Sequence, residues 1–255
     1  RSIKKIGLIE DLSVTTNGSL LEPLLAPLKE AGLDRLNISL DSLDPKRFKS
    51  ITLSDSYHKV YRAAEAALAH GFPVKLNMVV LKGLSESEII SFVKLAQRTP
   101  LEVRFLEFMP LCGEGWDPDF VLPISEVKKV VFREFEMTAD EPKSGQVAQT
   151  FILSGTGGKV GFIASLTESF CDQCSRIRLT ANGRIRPCLF SDVEVSIGNL
   201  LRDGASDDEI KASIRLAASI KPAGNAYRDK PFDASDGESL RRAVPGEAVM
   251  RRVGG

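Results

Sequence analysis

Leu12-Ser13-Val14-Thr15-Thr16 reads as a β-strand with Asn17-Gly18 as its exit turn, and Arg35-Leu36-Asn37-Ile38-Ser39-Leu40 reads as the next strand. Between them a helix is predicted from Leu20 to Ala31, with apolar residues at 21, 24, 25 and 28 and Gly32 as its stop. The rhythm then repeats. An alanine-rich helix runs from about Ser56 to His70 and stops at Gly71, and Val74 to Leu81 forms a third strand. Ser85-x-x-Glu88 predicts a capping box for a helix that ends near Thr99-Pro100, and Leu101 to Phe108 is a fourth strand. Strands that alternate with helices pair in parallel, so the chain is predicted to be α/β, with a sheet either open or closed into a barrel. Such sheets place ligands at the C-terminal ends of their strands, which puts Thr15, Asn17, Ser39, Asp41 and Met109 on one rim.

Past Gly115-Trp116 the pattern changes. A helix is predicted near Ser125 to Glu136, then a hairpin turn at Ser154-Gly155-Thr156-Gly157-Gly158, then a cysteine-bearing segment. One more helix is predicted near Asp207 to Ala218, followed by a polar tail rich in Gly, Pro and Arg.

The 255 residues give room for one large or two modest domains. Lys+Arg and Asp+Glu balance at 34 each, so no global field favours nucleic acid or a membrane surface, and any anion site must be local. No apolar run approaches the roughly 20 residues that span a bilayer, and no signal-peptide pattern opens the chain. Clustered cysteines read as metal ligands in a reducing compartment, and the expected location is the cytoplasm.

Three of the four cysteines, Cys171, Cys174 and Cys188, have the spacing C-x2-C-x13-C. A structural zinc site needs a fourth ligand, to be drawn from Cys112, His58, His70 or a carboxylate. His58 and His70 fall at the two ends of a predicted helix and read as surface residues, and Cys112 reads as a free thiol. A cubane iron–sulfur cluster with three thiolates leaves one iron open. On spacing alone both readings stand. Arg176 and Arg178 lie two apart and so are predicted to share a strand face, with Ile177 turned the other way. Two guanidiniums beside a metal centre make a fork for phosphate or for purine carbonyls. Lys75 and Arg104 are further cations in strands, pointing either inward or into solvent.

Four stretches, Thr15-Thr16-Asn17-Gly18, Leu36 to Asp44, Arg104 to Pro110 and Phe170-Cys171-x-x-Cys174-x-Arg176-x-Arg178, together resemble the molybdenum cofactor biosynthesis protein A family in order and content. Members are radical S-adenosylmethionine enzymes, the GTP 3′,8-cyclases. The resemblance implies a partial (αβ)6 radical-SAM barrel over residues 1–120, its first strands missing, and a C-terminal [4Fe–4S]-cluster and GTP-binding domain over 121–255. It implies Cys171, Cys174 and Cys188 as cluster ligands, and Thr15, Lys75, Arg176, Ile177 and Arg178 as GTP contacts. Ser39 and Met109 are implied to contact S-adenosylmethionine, Arg104 is implied as a phosphate or radical-site contact, and Gly254-Gly255 as a tail that reaches into the active site.

In the family a second [4Fe–4S] cluster, on an N-terminal C-x3-C-x2-C motif, reduces S-adenosylmethionine to a radical that takes the 3′ hydrogen of GTP. The product is (8S)-3′,8-cyclo-7,8-dihydroguanosine 5′-triphosphate. Neither that motif nor the Gly-Gly-Glu-Pro segment that follows it occurs in this sequence. The sequence is therefore expected to be a fragment that carries the substrate half without the radical-generating cluster. The resemblance further implies an electron donor, cyclic pyranopterin monophosphate synthase as the next enzyme, no nucleic-acid or membrane partner, and an assembly that could be a homodimer. The competing expectations are a non-catalytic nucleotide-binding or zinc-stabilised module, and a peptide-modifying radical enzyme with an auxiliary cluster.

Overall fold

The computed structural model describes residues 2–110, 116–142 and 145–224. Two compact units share the chain, one from Arg1–Leu106, Leu122–Pro142 and Ala148–Ile163, the other from Glu107–Val121, Lys143–Val147 and Ala164–Gly255.

The first unit is built on β1 (Ser13–Thr16), α1 (Leu25–Glu30), β2 (Arg35–Ser39), α2 (Pro45–Thr52), α3 (Tyr57–Ala69), β3 (Val74–Val80), α4 (Glu86–Arg98), β4 (Glu102–Glu107), α5 (Ile124–Glu134), β5 (Met137–Ala139), β6 (Gln149–Leu153) and β7 (Lys159–Ile163). Its strands form one sheet in the order β1-β2-β3-β4-β7-β6-β5. The β1–β2, β2–β3 and β4–β7 pairs are parallel, and the β7–β6 and β6–β5 pairs are antiparallel. The sheet is thus mixed: the expected parallel run, extended by a hairpin.

One face of this sheet is apolar and fully covered. Leu36 and Ile38, Leu76 and Met78, Val103 and Phe105, and Val160 and Phe162 are all buried on it. Helices supply the partner surface through Val60, Ala63 and Ala67 of α3, Phe92 and Val93 of α4, and Ile124 and Val127 of α5. Phe92 meets Phe105 edge-on at 6.4 Å, and Phe105 stacks with Phe162 at 6.0 Å. Each such side chain contributes roughly 1.5–3 kcal/mol by burial. The predicted glycine turn joins β6 to β7, and Gly158 has a specific reason to lack a side chain. A Cβ there would stand 1.8 Å from the Ala96 carbonyl oxygen of α4.

Two local features depart from the sequence reading. Helix α2 was not anticipated, although Asp44 caps it by accepting from the Lys46 and Arg47 amides and Pro45 opens it. The capping box at Ser85 is half made. Ser85 Oγ accepts from the Glu88 amide, but the Glu88 carboxylate turns to Ser42 Oγ and to Arg47 at 3.0 Å.

The second unit carries a small antiparallel sheet, β8 (Arg178–Leu179), β9 (Arg184–Arg186) and β10 (Val195–Ser196), with α6 (Gly198–Arg202) and α7 (Asp207–Ser219). Ser206 and Glu209 make a complete capping box for α7. Ile185, Ile197 and Ala217 form one apolar cluster, and Trp116, Val121 and Leu166 form another, which Phe108 and Phe190 extend. Among the described residues no helix is long and apolar enough to cross a membrane.

Candidate functional site

The second face of the large sheet is polar, which an all-covered parallel sheet does not need. Register aligns Thr15 with Asn37 and Asn37 with Lys75, so the three share this face. Asn37 Nδ2 donates to Thr15 Oγ1 at 3.3 Å. Lys75 Nζ lies 2.9 Å from Glu102, and Arg104 pairs with the same carboxylate. Lys75 and Arg104 therefore point onto one face with one shared anion, which answers the question their spacing left open. Burial pushes the Lys75 ammonium below its ordinary pKa and Arg104 pushes it further, with Glu102 offsetting part. Burial also pushes the Glu102 carboxyl up, but Arg104 and Lys75 more than reverse that, leaving it below the usual range. The row keeps one positive charge in excess and suits an anion. The Oδ1 atoms of Asn37 and Asn77 are buried with no hydrogen-bond partner.

At the C-terminal ends of β1 and β2 lies a cleft of about 300 Å³ lined by Asn17, Ser19, Ser39, Asp41, Phe48, Thr52, Ser54 and Ser56. Its mouth is shaped by a turn in which Asn17 Oδ1 accepts from the Ser19 amide and hydroxyl. Gly18 sits at φ +74°, and a Cβ there would press on Val60 and Ile38. Asp41 Oδ1 accepts from the Val79 amide at 3.1 Å, and burial raises its pKa. Ser39 and Asp41 thus share a hydroxyl-rich cleft. Met109 follows β4 and belongs to the second unit.

In the second unit Cys171, Cys174 and Cys188 are free thiols of intermediate burial. Cys171 starts a 3-10 turn over Cys171–Gln173 and its Sγ accepts from Ser169 Oγ at 3.0 Å. Cys174 is ringed by cations: Arg176 Nη2 stands 3.8 Å and Lys221 Nζ 3.5 Å from its Sγ. Burial alone would raise the Cys174 thiol, but hydrogen bonds from Arg176 and the charges of Arg176 and Lys221 bring it below its ordinary pKa. Arg178 is pushed down by burial and by Arg176, and held up by Cys188 and Cys174.

The shared strand face predicted for Arg176 and Arg178 is not formed. Strand β8 begins at Arg178, and Arg176 lies before it, its guanidinium over the Phe170 ring at 5.4 Å. The reason is local, since the 3-10 turn at Cys171–Gln173 hands the chain to an irregular stretch that lets Arg176 fold back on Cys174. Ile177, expected to turn away from a face shared by the two arginines, is 42% exposed.

Among the described residues no three His, Cys, Asp or Glu side chains converge to hold a metal ion. His70 Nδ1 lies 2.8 Å from the Ala66 carbonyl oxygen. Cys112 and Gly254-Gly255 lie outside the described residues. The donor chemistry suits an anionic group, because Arg176 and Lys221 stand beside the Cys174 thiol and Arg176 Nε is buried with no partner. Sequence reading missed Lys221 and Glu102. Glu102 alternates with Arg104, which was a usable signal for one of its two partners, whereas nothing around Lys221 marked it.

Residues 1–96 match the family model Radical SAM superfamily, and residues 101–227 match Molybdenum Cofactor Synthesis C. The chain is 43% identical over 225 residues to the GTP 3′,8-cyclase of Syntrophomonas wolfei, covering 87% of this chain and 69% of that protein. It is 42% identical over 226 residues to that of Moorella thermoacetica, covering 88% of this chain and 70% of the relative. With the mitochondrial GTP 3′,8-cyclase of Arabidopsis thaliana it shares 40% over 222 residues, 86% of this chain and 56% of the relative.

Proposed function

The chain belongs to the GTP 3′,8-cyclase family of molybdenum cofactor biosynthesis, and from that premise we propose that its second unit holds GTP at a [4Fe–4S] cluster on Cys171, Cys174 and Cys188. The observation that carries this reading is the cationic surround of Cys174, with Arg176, Arg178 and Lys221 beside thiols. When bound, the cluster supplies an open iron for the guanine. Arg176 and Arg178 donate to phosphate or purine carbonyl oxygens, and exposed Ile177 offers an apolar contact beside them. The reaction is the conversion of GTP to (8S)-3′,8-cyclo-7,8-dihydroguanosine 5′-triphosphate with S-adenosylmethionine.

The parallel strands of the first unit are read as part of an (αβ)6 radical-SAM barrel, whose polar face is the ligand face. On it Thr15 and Lys75 contact GTP, and Arg104 contacts phosphate or the radical site. Ser39, in the cleft, and Met109 contact S-adenosylmethionine. The excess charge of the Lys75–Glu102–Arg104 row supports that role, since an anion there meets two cations already desolvated in part.

Anaerobic reconstitution with iron and sulfide tests the reading. About four irons per chain are expected, and their loss in a Cys171→Ser, Cys174→Ser, Cys188→Ser variant. Stoichiometric zinc without iron would sink it.

A further inference from the structure

Lys221, just past α7, reaches back into the cysteine segment. Its Nζ donates to the Arg176 carbonyl oxygen at 2.6 Å and to the Pro187 carbonyl oxygen at 3.1 Å, and stands 3.5 Å from Cys174 Sγ. An ammonium has three N–H groups, and these three contacts use them all. The acceptors lie on both stretches that carry the thiols, since Arg176 follows Cys171 and Cys174 while Pro187 precedes Cys188. Between these stretches the chain runs through β8 and β9. A single cation thus ties together two strands' worth of backbone at the point where the thiols sit.

The surrounding charges sharpen its effect. Arg176 and Arg178 both act on the Cys174 thiol, and Arg186 is buried with its Nη2 2.8 Å from Glu194. Glu194 also pairs with Arg184 at 3.7 Å, so that carboxylate is committed to arginines. A positive charge next to a cluster ligand favours the more negative, reduced state.

We propose that Lys221 is a positioning residue for the three-thiol centre. It fixes the Cys171–Cys174 stretch against Cys188 and raises the reduction potential of the cluster bound there. The proposal rests on the cluster reading above, so its test has one arm that needs no iron.

In the first arm, hydrogen exchange is followed on the full chain as purified, in wild type and in Lys221→Met, which keeps the apolar stem and removes the charge. Faster exchange is expected in residues 171–178 and 184–190, with β3 unchanged as the sign that the fold persists. In the second arm both chains and Lys221→Arg are reconstituted anaerobically and titrated with dithionite under electron paramagnetic resonance. Lys221→Met is expected to lose iron to a chelator about tenfold faster and to have a lower midpoint potential, and Lys221→Arg to restore the midpoint. Wild-type exchange in both stretches, or an unchanged midpoint in Lys221→Met, overturns the proposal. A wild-type chain that takes up no iron removes the cluster reading, and the exchange arm then decides the clamp alone.

Discussion

Alanine at Arg176 and Arg178 together is expected to lower GTP affinity about 100- to 1000-fold in a calorimetric titration, while the chain still takes up iron. Each guanidinium offers charge-assisted hydrogen bonds worth about 1.5–3 kcal/mol, and the lower part of that range, taken twice, gives about 3–4 kcal/mol of binding. Arg176 is poised for such a contact, its ring-stacked guanidinium holding a buried Nε without a partner. Arg178 is held partly desolvated between Arg176 and the thiols, a position that costs free energy until an anion arrives. Iron uptake persists because the three thiols are untouched and Lys221 still spans their stretches. Lysine at either position keeps charge but loses the planar fork, and recovers only part of the affinity. Unchanged affinity in the double variant removes both arginines from the site.

Glu107→Ala is expected to cost about 3–5 kcal/mol in chemical denaturation of the second unit. Glu107, the last residue of β4, is fully buried. Its carboxylate accepts from the Leu166 amide at 2.7 Å, the Thr167 amide at 3.1 Å and the Thr167 hydroxyl. Alanine leaves these donors without that acceptor, the Leu166 amide in a buried position and the Thr167 groups in a part-buried one. The stretch they hold leads directly to Phe170 and Cys171, so the loss falls on the cysteine segment as well as on stability. Glu107→Gln keeps the shape and one acceptor oxygen and is expected to cost less. A loss below about 1 kcal/mol in Glu107→Ala contradicts this role.

The strands and helices of the first unit were legible because each declares itself within a short window. The alternation in Val74–Val80 and the glycine stops after helices are local signals. The start of α2 is equally local, in the cap Asp44 and the first-turn Pro45. Other features depend on contacts distant in sequence. Glu88 looked like a capping residue, and only the approach of Ser42 and Arg47 draws its side chain away. Arg176 and Arg178 look like a strand pair by spacing, and here the competing contacts are local, with Phe170 and Cys174 drawing Arg176 back before the strand begins. Lys75 and Arg104 could be placed on one face only once strand order brought Glu102 between them. Lys221 carried no signal at all, because its three acceptors lie 34 to 47 residues away. The three cysteines and two arginines are the part of the candidate site that sequence could mark, since chemistry of that kind is read from residue type and spacing.

The most direct test is the electron paramagnetic resonance spectrum of the reconstituted, dithionite-reduced chain, recorded with and without one equivalent of GTP. A reduced-cluster signal is expected that changes on GTP addition, and that stays unchanged on the same addition in the Arg176→Ala, Arg178→Ala chain. A wild-type spectrum identical with and without that equivalent of GTP would contradict the assignment of Cys171, Cys174 and Cys188 as the place where the nucleotide is held.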